Sequence, residues 1–474
     1  MNAQRVRRGS ALGRARDFID LLAASSPARF AIVVFTALIL TFTLLLALPI
    51  SAADGRATRL VDALFTAVSA ICVTGLSTVD MATHWSLFGN VVILIGIQVG
   101  GIGVLTLASL LGLVVSRRLG LRQRLLAASD TNPLRIHTGP IAEGQAVRLG
   151  EIGGLLATVA ISVLVIEFVL ALLIAPQLFL RGHDLWTASW QGFYFAASAF
   201  TNTGFVPREG GMEQFAADPG MLSVIAIGVF LGSIGYPVIF ALARVWKHRR
   251  RLTIHVKLTL ATTIILLVLG AVAILALEWS NPATLGDQDP AVRPMTAGFL
   301  SVISRSGGFS TVDVGQLHGS TLLVLDMLMF VGGGSASTAG GIKVTTLAVL
   351  FLAAFAEAKG DRDMEVFQRR IPVDVLRLAV SVVLWGATIV ATASIAILQI
   401  TKASLDQVLF DVISAFATCG LSTGLTEALP DSGKLVIAAT MWAGRVGTVT
   451  LAAALAASQR RQLFRHAEER PIVG

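Results

Sequence analysis

What this chain has least of is charge: 14% of its 474 residues are Asp, Glu, Lys or Arg, while 54% are hydrophobic and the mean hydropathy is +0.76. A soluble domain carries about 25% charged residues. No polar stretch is long enough to fold as a separate soluble domain, so the composition points to a polytopic membrane protein. Cysteine is nearly absent. Cys72 and Cys419 are the only two, which excludes a disulfide framework or a thiolate metal centre. The spacings that an enzyme would need are missing too: there is no HExxH, no GxxxxGKS or GxxxxGKT, and no Ser/His/Asp arrangement. A secretory signal is also lacking. Arg5, Arg7, Arg8, Arg14 and Arg16 run into an apolar segment too long for a signal peptide and without a small-residue cleavage site, which reads as a first membrane helix.

Eight long apolar segments are present, centred near Val34, Ile95, Leu164, Ile227, Leu267, Leu328, Ile389 and Met441. The loops between them are of two alternating kinds. One kind holds six Lys and Arg in each of residues 1–29, 117–149, 244–257 and 343–377 and four in 459–474, together 28 of the 37 in the chain. The other kind holds Arg56, Arg59, Arg181, Arg208, Arg293, Arg305, Lys402 and Lys434, and Arg445 stands alone inside the last apolar segment. Basic loops stay in the cytoplasm. Both termini are therefore expected inside. The net charge of +8 fits topology and anionic lipid, not nucleic acid.

Glycine supplies the main signal. A short motif recurs four times: Cys72-Val73-Thr74-Gly75-Leu76-Ser77, Thr201-Asn202-Thr203-Gly204-Phe205, Arg305-Ser306-Gly307-Gly308-Phe309-Ser310 and Ala417-Thr418-Cys419-Gly420-Leu421-Ser422. The run-up is shared as well, in Val68-Ser69-Ala70, Ala197-Ser198-Ala199-Phe200 and Ile413-Ser414-Ala415-Phe416. Each copy follows an apolar segment of about a dozen residues, short of the roughly 20 that cross a bilayer. The order is long helix, half-length helix, motif, long helix, repeated over 27–116, 150–246, 257–355 and 373–457. A basic N-terminus (1–26) and a tail (458–474) flank the repeats. The fold class is an all-α polytopic membrane protein, with four fused helix–pore-helix–helix repeats around a central pore. Non-helical backbone at membrane depth must be buried or line a wet cavity. A ring of carbonyls is how a pore replaces the water around a cation. The half-helices aim their negative ends at the membrane centre. The expected ion-binding set is Val73, Thr74, Gly75, Asn202, Thr203, Gly204, Ser306, Gly307, Gly308, Thr418, Cys419 and Gly420. The hydroxyls of Thr74, Thr203, Ser306 and Thr418 are read as braces, and Leu76, Phe205, Phe309 and Leu421 as anchors outside the ring.

These residues resemble the Ktr/Trk/HKT superfamily of potassium transporters over nearly the whole chain. The second long helices match too, in Gly100-Gly101-Ile102-Gly103, Gly232-Ser233-Ile234-Gly235-Tyr236-Pro237 and Gly444-Arg445-Val446-Gly447. Trk-type subunits carry an additional helix pair before the first repeat, and only about 26 residues precede it here, so the chain looks Ktr-like. The resemblance implies potassium as the ion in the filter, with sodium as a stimulating ion in some relatives, although nothing in the sequence marks a sodium site. Gly75 favours potassium, since sodium-preferring plant members carry serine there. Gly307 departs from Thr74, Thr203 and Cys419 and makes that quarter of the ring looser. The resemblance also implies a homodimer on a KtrA-like cytoplasmic nucleotide-binding ring, in a bacterial inner membrane. The basic loops at 117–124 and 244–251 and the C-terminal tail are docking candidates, or lipid contacts.

Inside the third repeat lies Gly332-Gly333-Gly334-Ser335-Ala336-Ser337-Thr338-Ala339-Gly340-Gly341. Each glycine costs a helix roughly 1 kcal/mol, so this run reads as an unwound loop below the filter. The resemblance implies an intramembrane gating loop there, the alternative being a packing stretch. Arg445 is read as its hydrogen-bond partner and a barrier to cations, or else as a structural tie between helix ends. Lys343 either shares that role or reaches cytoplasmic water. Arg305 is expected to brace its loop against Asp313 or Asp80. Glu167 and Asp326 are expected in hydrogen-bonded structural roles, Asp326 next to a basic residue near the gate. The competing functional class is an alternating-access, cation-coupled secondary transporter, which uses two inverted repeats where this chain shows four direct ones.

Overall fold

The computed structural model describes residues 27–118, 149–208, 211–248, 252–361 and 363–447. Long apolar runs build the helices α1 (Pro27–Leu46), α3 (Leu87–Arg118) and α4 (Leu149–Leu180, with Pro176 inside it), with the half-length α2 (Leu60–Cys72) between the first two. Then follow the half-length α5 (Leu185–Phe200), α6 (Pro219–Ile234), α7 (Tyr236–His248), α8 (Ile254–Glu278) and the half-length α9 (Arg293–Ile303). The chain continues through α10 (Gly319–Phe330), α11 (Val344–Lys359), α12 (Val373–Ile400), the half-length α13 (Leu405–Ala417) and α14 (Asp431–Trp442). Among the described residues three helices are long and apolar enough to cross a membrane, or four with α6 and α7 taken together. Their outward faces carry exposed Leu, Ile, Val and Phe, for example Leu164, Phe168, Leu269 and Leu384. That is far more apolar surface than water tolerates.

The half-helices have 13, 16, 11 and 13 residues, about 16–24 Å at 1.5 Å per residue. Each is shorter than a hydrocarbon core of about 30 Å. The helix that follows each one leans on the next half-helix: α3 on α5, α6 on α9, α10 on α13, and α14 back on α2. This hand-over closes the four units into a ring around one axis, and the core residues run through all four as one cluster.

Two features depart from regular helices. α6 and α7 meet at 100° at Gly235, whose φ is +90°. A side chain there would strike the carbonyl oxygen of Ser335 at 2.6 Å. Between α11 and α12 a hairpin of β1 (Met364–Val366) and β2 (Arg369–Ile371) is the one sheet among the described residues. Phe367 and Gln368, at φ +51° and +63°, form its tight turn.

Buried carboxylates lash the segments that leave the loops. Asp62 on α2 accepts from Lys434 Nζ at 2.6 Å and Thr78 Oγ1 at 2.8 Å, tying the first unit to the fourth. Asp411 on α13 accepts from Ser422, Thr423 and Thr426. Glu278 at the end of α8 accepts from Asn281, Thr284, His318 and Thr321. Removing one partner of a buried pair strands the other charge, at a cost of about 3–5 kcal/mol. Lys434→Met therefore lowers the thermal midpoint of the detergent-purified protein, and adding Asp62→Asn recovers most of the loss; thermal unfolding of both variants checks this.

Candidate functional site

Each half-helix ends in the same kind of corner. Val73, Asn202, Ser306 and Thr418 take left-handed backbone, with φ of +56°, +62°, +91° and +47°. Two residues on, Gly75, Gly204, Gly308 and Gly420 do the same, at +92°, +83°, +70° and +96°. Thr74, Thr203, Gly307 and Cys419 stand between them on the ordinary side. Extended chain sends successive carbonyls to opposite sides, and reversing the hand at every second residue brings them to one side. Left-handed non-glycine residues cost about 1–3 kcal/mol each and cluster at functional sites.

The four corners meet. A methyl group placed on Gly75 would lie 1.7 Å from the Thr203 carbonyl oxygen, and one on Gly204 would lie 2.8 Å from that of Gly307. On Gly308 it would lie 2.8 Å from the carbonyl oxygen of Cys419, and on Gly420 2.3 Å from that of Thr74. The contacts run from the first loop to the second, third and fourth and back to the first. Only glycine permits this approach. Leu76, Phe205, Phe309 and Leu421 are each 1% exposed and fix the outgoing strands.

Glycines on the following helices back the half-helix ends. A methyl on Gly100 would meet the carbonyl of Ile71 at 2.3 Å, one on Gly232 that of Phe200 at 2.0 Å, and one on Gly444 that of Phe416 at 1.9 Å. Ser69 Oγ accepts from the Gly75 amide at 3.0 Å and Ser414 Oγ from the Gly420 amide at 3.2 Å. The second loop is braced by the Thr201–Thr203 hydroxyl pair at 2.8 Å. Asn202 adds to this: in the amide orientation that its surroundings require, it donates to the carbonyls of Val229 and Ala199 at 3.0 Å. In the third unit Val302 replaces the serine. There the Cys419 thiol donates across to the Ser304 carbonyl at 3.3 Å.

Beside this ring lies the break between α10 and α11, closed by one bridge from Val331 to Ile342. Side-chain donors hold its free carbonyls: Arg305 Nη2 to Gly332 at 2.7 Å, Arg445 Nη1 to Thr338 at 2.5 Å and Lys343 Nζ to Ala339 at 2.6 Å. Gly334 N–H donates to Ser233 and Tyr236 N–H to Ala336, so the bend between α6 and α7 interlocks with the loop. Thr338 Oγ1 donates to Phe200 at 3.0 Å, and the Gly340 amide donates to Ser306 Oγ at 3.1 Å. Ser337 Oγ donates to Gly334, and the Ser335 and Thr345 hydroxyls pair.

Residues 20–462 match the TrkH family, described as "Cation transport protein". The chain belongs to the TrkH family of cation transport proteins. It is 34% identical to the Ktr system potassium uptake protein B of Vibrio alginolyticus, covering 94% of each chain. It is also 34% identical to the Ktr system potassium uptake protein D of Bacillus subtilis, over 96% of this chain and 99% of that one. The potassium/sodium uptake protein NtpJ of Enterococcus hirae is 30% identical over 95% of this chain and 97% of its own. The fold is similar to the crystal structure of the potassium transporter TrkH from Vibrio parahaemolyticus, with a TM-score of 0.68 and 18% identity over 95% of this chain and 86% of that one. The family transports cations and is not an enzyme family.

In this TrkH-family chain Thr74, Gly75, Thr203, Gly204, Gly307, Gly308, Cys419 and Gly420 meet in the ring, Ser306 and Thr418 bond to each other beside it, and Val73 and Asn202 form the corners that lead into it; Lys343 and Arg445 each hold a carbonyl of the Gly332 to Gly341 loop. The partner read for Arg305 requires correction. Asp80 and Asp313 are exposed and cap their own turns at Ala82 and Gly315. Arg305 instead donates to the carbonyls of Gly332 and Thr263. Buried beside irregular backbone, a guanidinium finds main-chain oxygens closer to hand than any carboxylate. Among the described residues no ion pair includes Arg305, Lys343, Arg445 or Asp326. The basic neighbour expected for Asp326 is therefore not found, and its Oδ1 has no hydrogen bond. Glu167 does have a partner, Gln98. The Thr74 and Thr418 hydroxyls, read as braces, are buried without partners. The sequence reading named Ser69 and Ser414 in the shared run-up without giving them a role, and it missed Asp62 and Asp411. The two serines had a signal in their place six residues before the ring glycine. The segments 117–124 and 244–251 lie partly outside the described residues, and the tail does so entirely.

Gly75→Ala introduces a contact that backbone cannot yield to, and a penalty of about 1–3 kcal/mol at the ring corresponds to a loss of cation flux of about 5- to 150-fold. Rubidium uptake at matched membrane abundance measures it.

Proposed function

We propose that this chain takes up potassium across the bacterial inner membrane through a pore whose selectivity filter is the ring of Thr74, Thr203, Gly307 and Cys419 carbonyls with their flanking residues. The observation that carries this reading is the closed cycle of ring contacts from Gly75 round to Gly420. Converging carbonyls with no side chain between them suit a dehydrated monovalent cation. The negative ends of four half-helices add to the attraction. The relatives at 30–34% identity, all named as potassium or potassium/sodium uptake proteins, support the choice of ion.

The loop from Gly332 to Gly341 serves as the gate. It is held by three cationic side chains with no carboxylate to offset them among the described residues. A bare guanidinium at this depth is costly and opposes a passing cation, so Arg445 both pins the loop at Thr338 and raises the barrier. Among the described residues two helices are broken, at Gly235 and at Gly332 to Gly341. The bend at Gly235 interlocks with that loop, and the loop itself reaches the ring through Gly340, which favours a gated pore over alternating access between two repeats. A homodimer bound to a separate cytoplasmic nucleotide-binding subunit regulates the pore, in keeping with relatives named as parts of a Ktr system. Sodium is the candidate stimulating ion, and both termini face the cytoplasm under the loop-charge asymmetry.

Expressed in cells that lack potassium uptake, the chain restores growth at low potassium and rubidium uptake. Arg445→Gln raises initial rubidium uptake by about tenfold, the weight of one charge-assisted hydrogen bond. Unchanged uptake at wild-type abundance would remove Arg445 from the gate.

A further inference from the structure

One hydroxyl joins the glycine-rich loop to the ring. Ser306 Oγ donates to the carbonyl oxygen of Thr418 at 2.7 Å and accepts from the amide of Gly340 at 3.1 Å. Thr418 opens the fourth ring loop, and Gly340 belongs to the loop between α10 and α11. The contact is also steric. A methyl on Gly340 would lie 2.1 Å from Thr418 Oγ1 and 2.3 Å from the Ala417 carbonyl oxygen. Ser306 is 1% exposed, so no water competes for either bond. Its φ of +91° is a conformation that glycine would adopt more easily. Serine at this position therefore needs a reason beyond backbone shape, and the pair of hydrogen bonds supplies one. The equivalent positions cannot do the same. The Val73 side chain has no polar atom, the Asn202 amide is engaged by α6, and the Thr418 hydroxyl is without a partner.

We propose that Ser306 is a positioning residue that couples the glycine-rich loop to ion selection, by holding the Thr418 carbonyl in place only while Gly340 is docked. A hydroxyl that accepts a hydrogen bond donates a stronger one. When Gly340 withdraws, Ser306 loses its donor, its grip on Thr418 weakens, and the fourth quarter of the ring is freed. Selectivity and gate position then change together. The inference rests on the filter and gate assignments proposed above.

The test compares rubidium uptake, and its ratio to sodium uptake, in potassium-uptake-deficient cells carrying the full chain. The variants are wild type, Ser306→Ala, Ser306→Gly, Arg445→Gln and Ser306→Gly with Arg445→Gln, at matched membrane abundance. Ser306→Gly removes the hydroxyl while relaxing the left-handed backbone, so a merely structural serine would leave the ratio unmoved. Under coupling, Ser306→Gly, Ser306→Ala and Arg445→Gln each lower the rubidium-to-sodium ratio by a factor of about 2 to 10, the usual weight of one hydrogen bond. The double variant goes no lower than either single one. A wild-type ratio in both Ser306 variants overturns the coupling, and so do effects that multiply in the double variant. The gate assignment fails at a different readout: Arg445→Gln with wild-type flux defeats it, and the coupling with it.

Discussion

Four stretches of main chain have to meet on one line with nothing but backbone between them. That single steric demand accounts for most of what surrounds it. It requires glycine at 75, 204, 308 and 420, where any Cβ would fall within 2.8 Å of a neighbouring loop. It is accompanied by a left-handed corner two residues earlier, at Val73, Asn202, Ser306 and Thr418. It also requires the supporting helices to come close, which Gly100, Gly232 and Gly444 allow by presenting no side chain to the half-helix carbonyls. Glycine in a membrane helix is often only a packing residue. Here the same residue type packs helices at one level and forms the ring at the next.

Irregular backbone inside an apolar body creates a second demand, because carbonyls without helical partners must find donors. Arg305, Lys343 and Arg445 meet it around the broken third helix. Thr338 and Ser306 carry the connection on to Phe200 and Thr418. The break at Gly235 belongs to the same arrangement, since Tyr236 donates to Ala336 of the loop. Structural satisfaction and local positive charge are thus supplied by the same side chains. A loop held by a few hydrogen bonds, instead of a full helical ladder, can be released by breaking few of them.

The symmetry is approximate, and its departures are informative. Serines brace the first and fourth loops, a threonine pair and Asn202 brace the second, and Ser306 with Cys419 links the third to the fourth. Gly307 breaks the motif in the quarter where the serine of the run-up is also missing and where Ser306 receives the Gly340 amide of the glycine-rich loop. The asymmetry of the ring therefore lies next to the asymmetric element.

Much of the architecture was legible in the chain, because apolar length, loop charge and a fourfold glycine motif are local properties. The sequence by itself determined where helices stop short of a membrane's width, where the corners fall, and that the helix after the third corner cannot continue through its glycine run. Only the tertiary structure decided the partners. Arg305 finds Gly332 and Thr263 carbonyls instead of Asp80 or Asp313, Asp62 meets Lys434 across the closure of the ring, and Ser306 stands between two loops. Hydrogen-bond partners depend on which backbone groups are left free once distant segments pack, and no spacing along the chain records that.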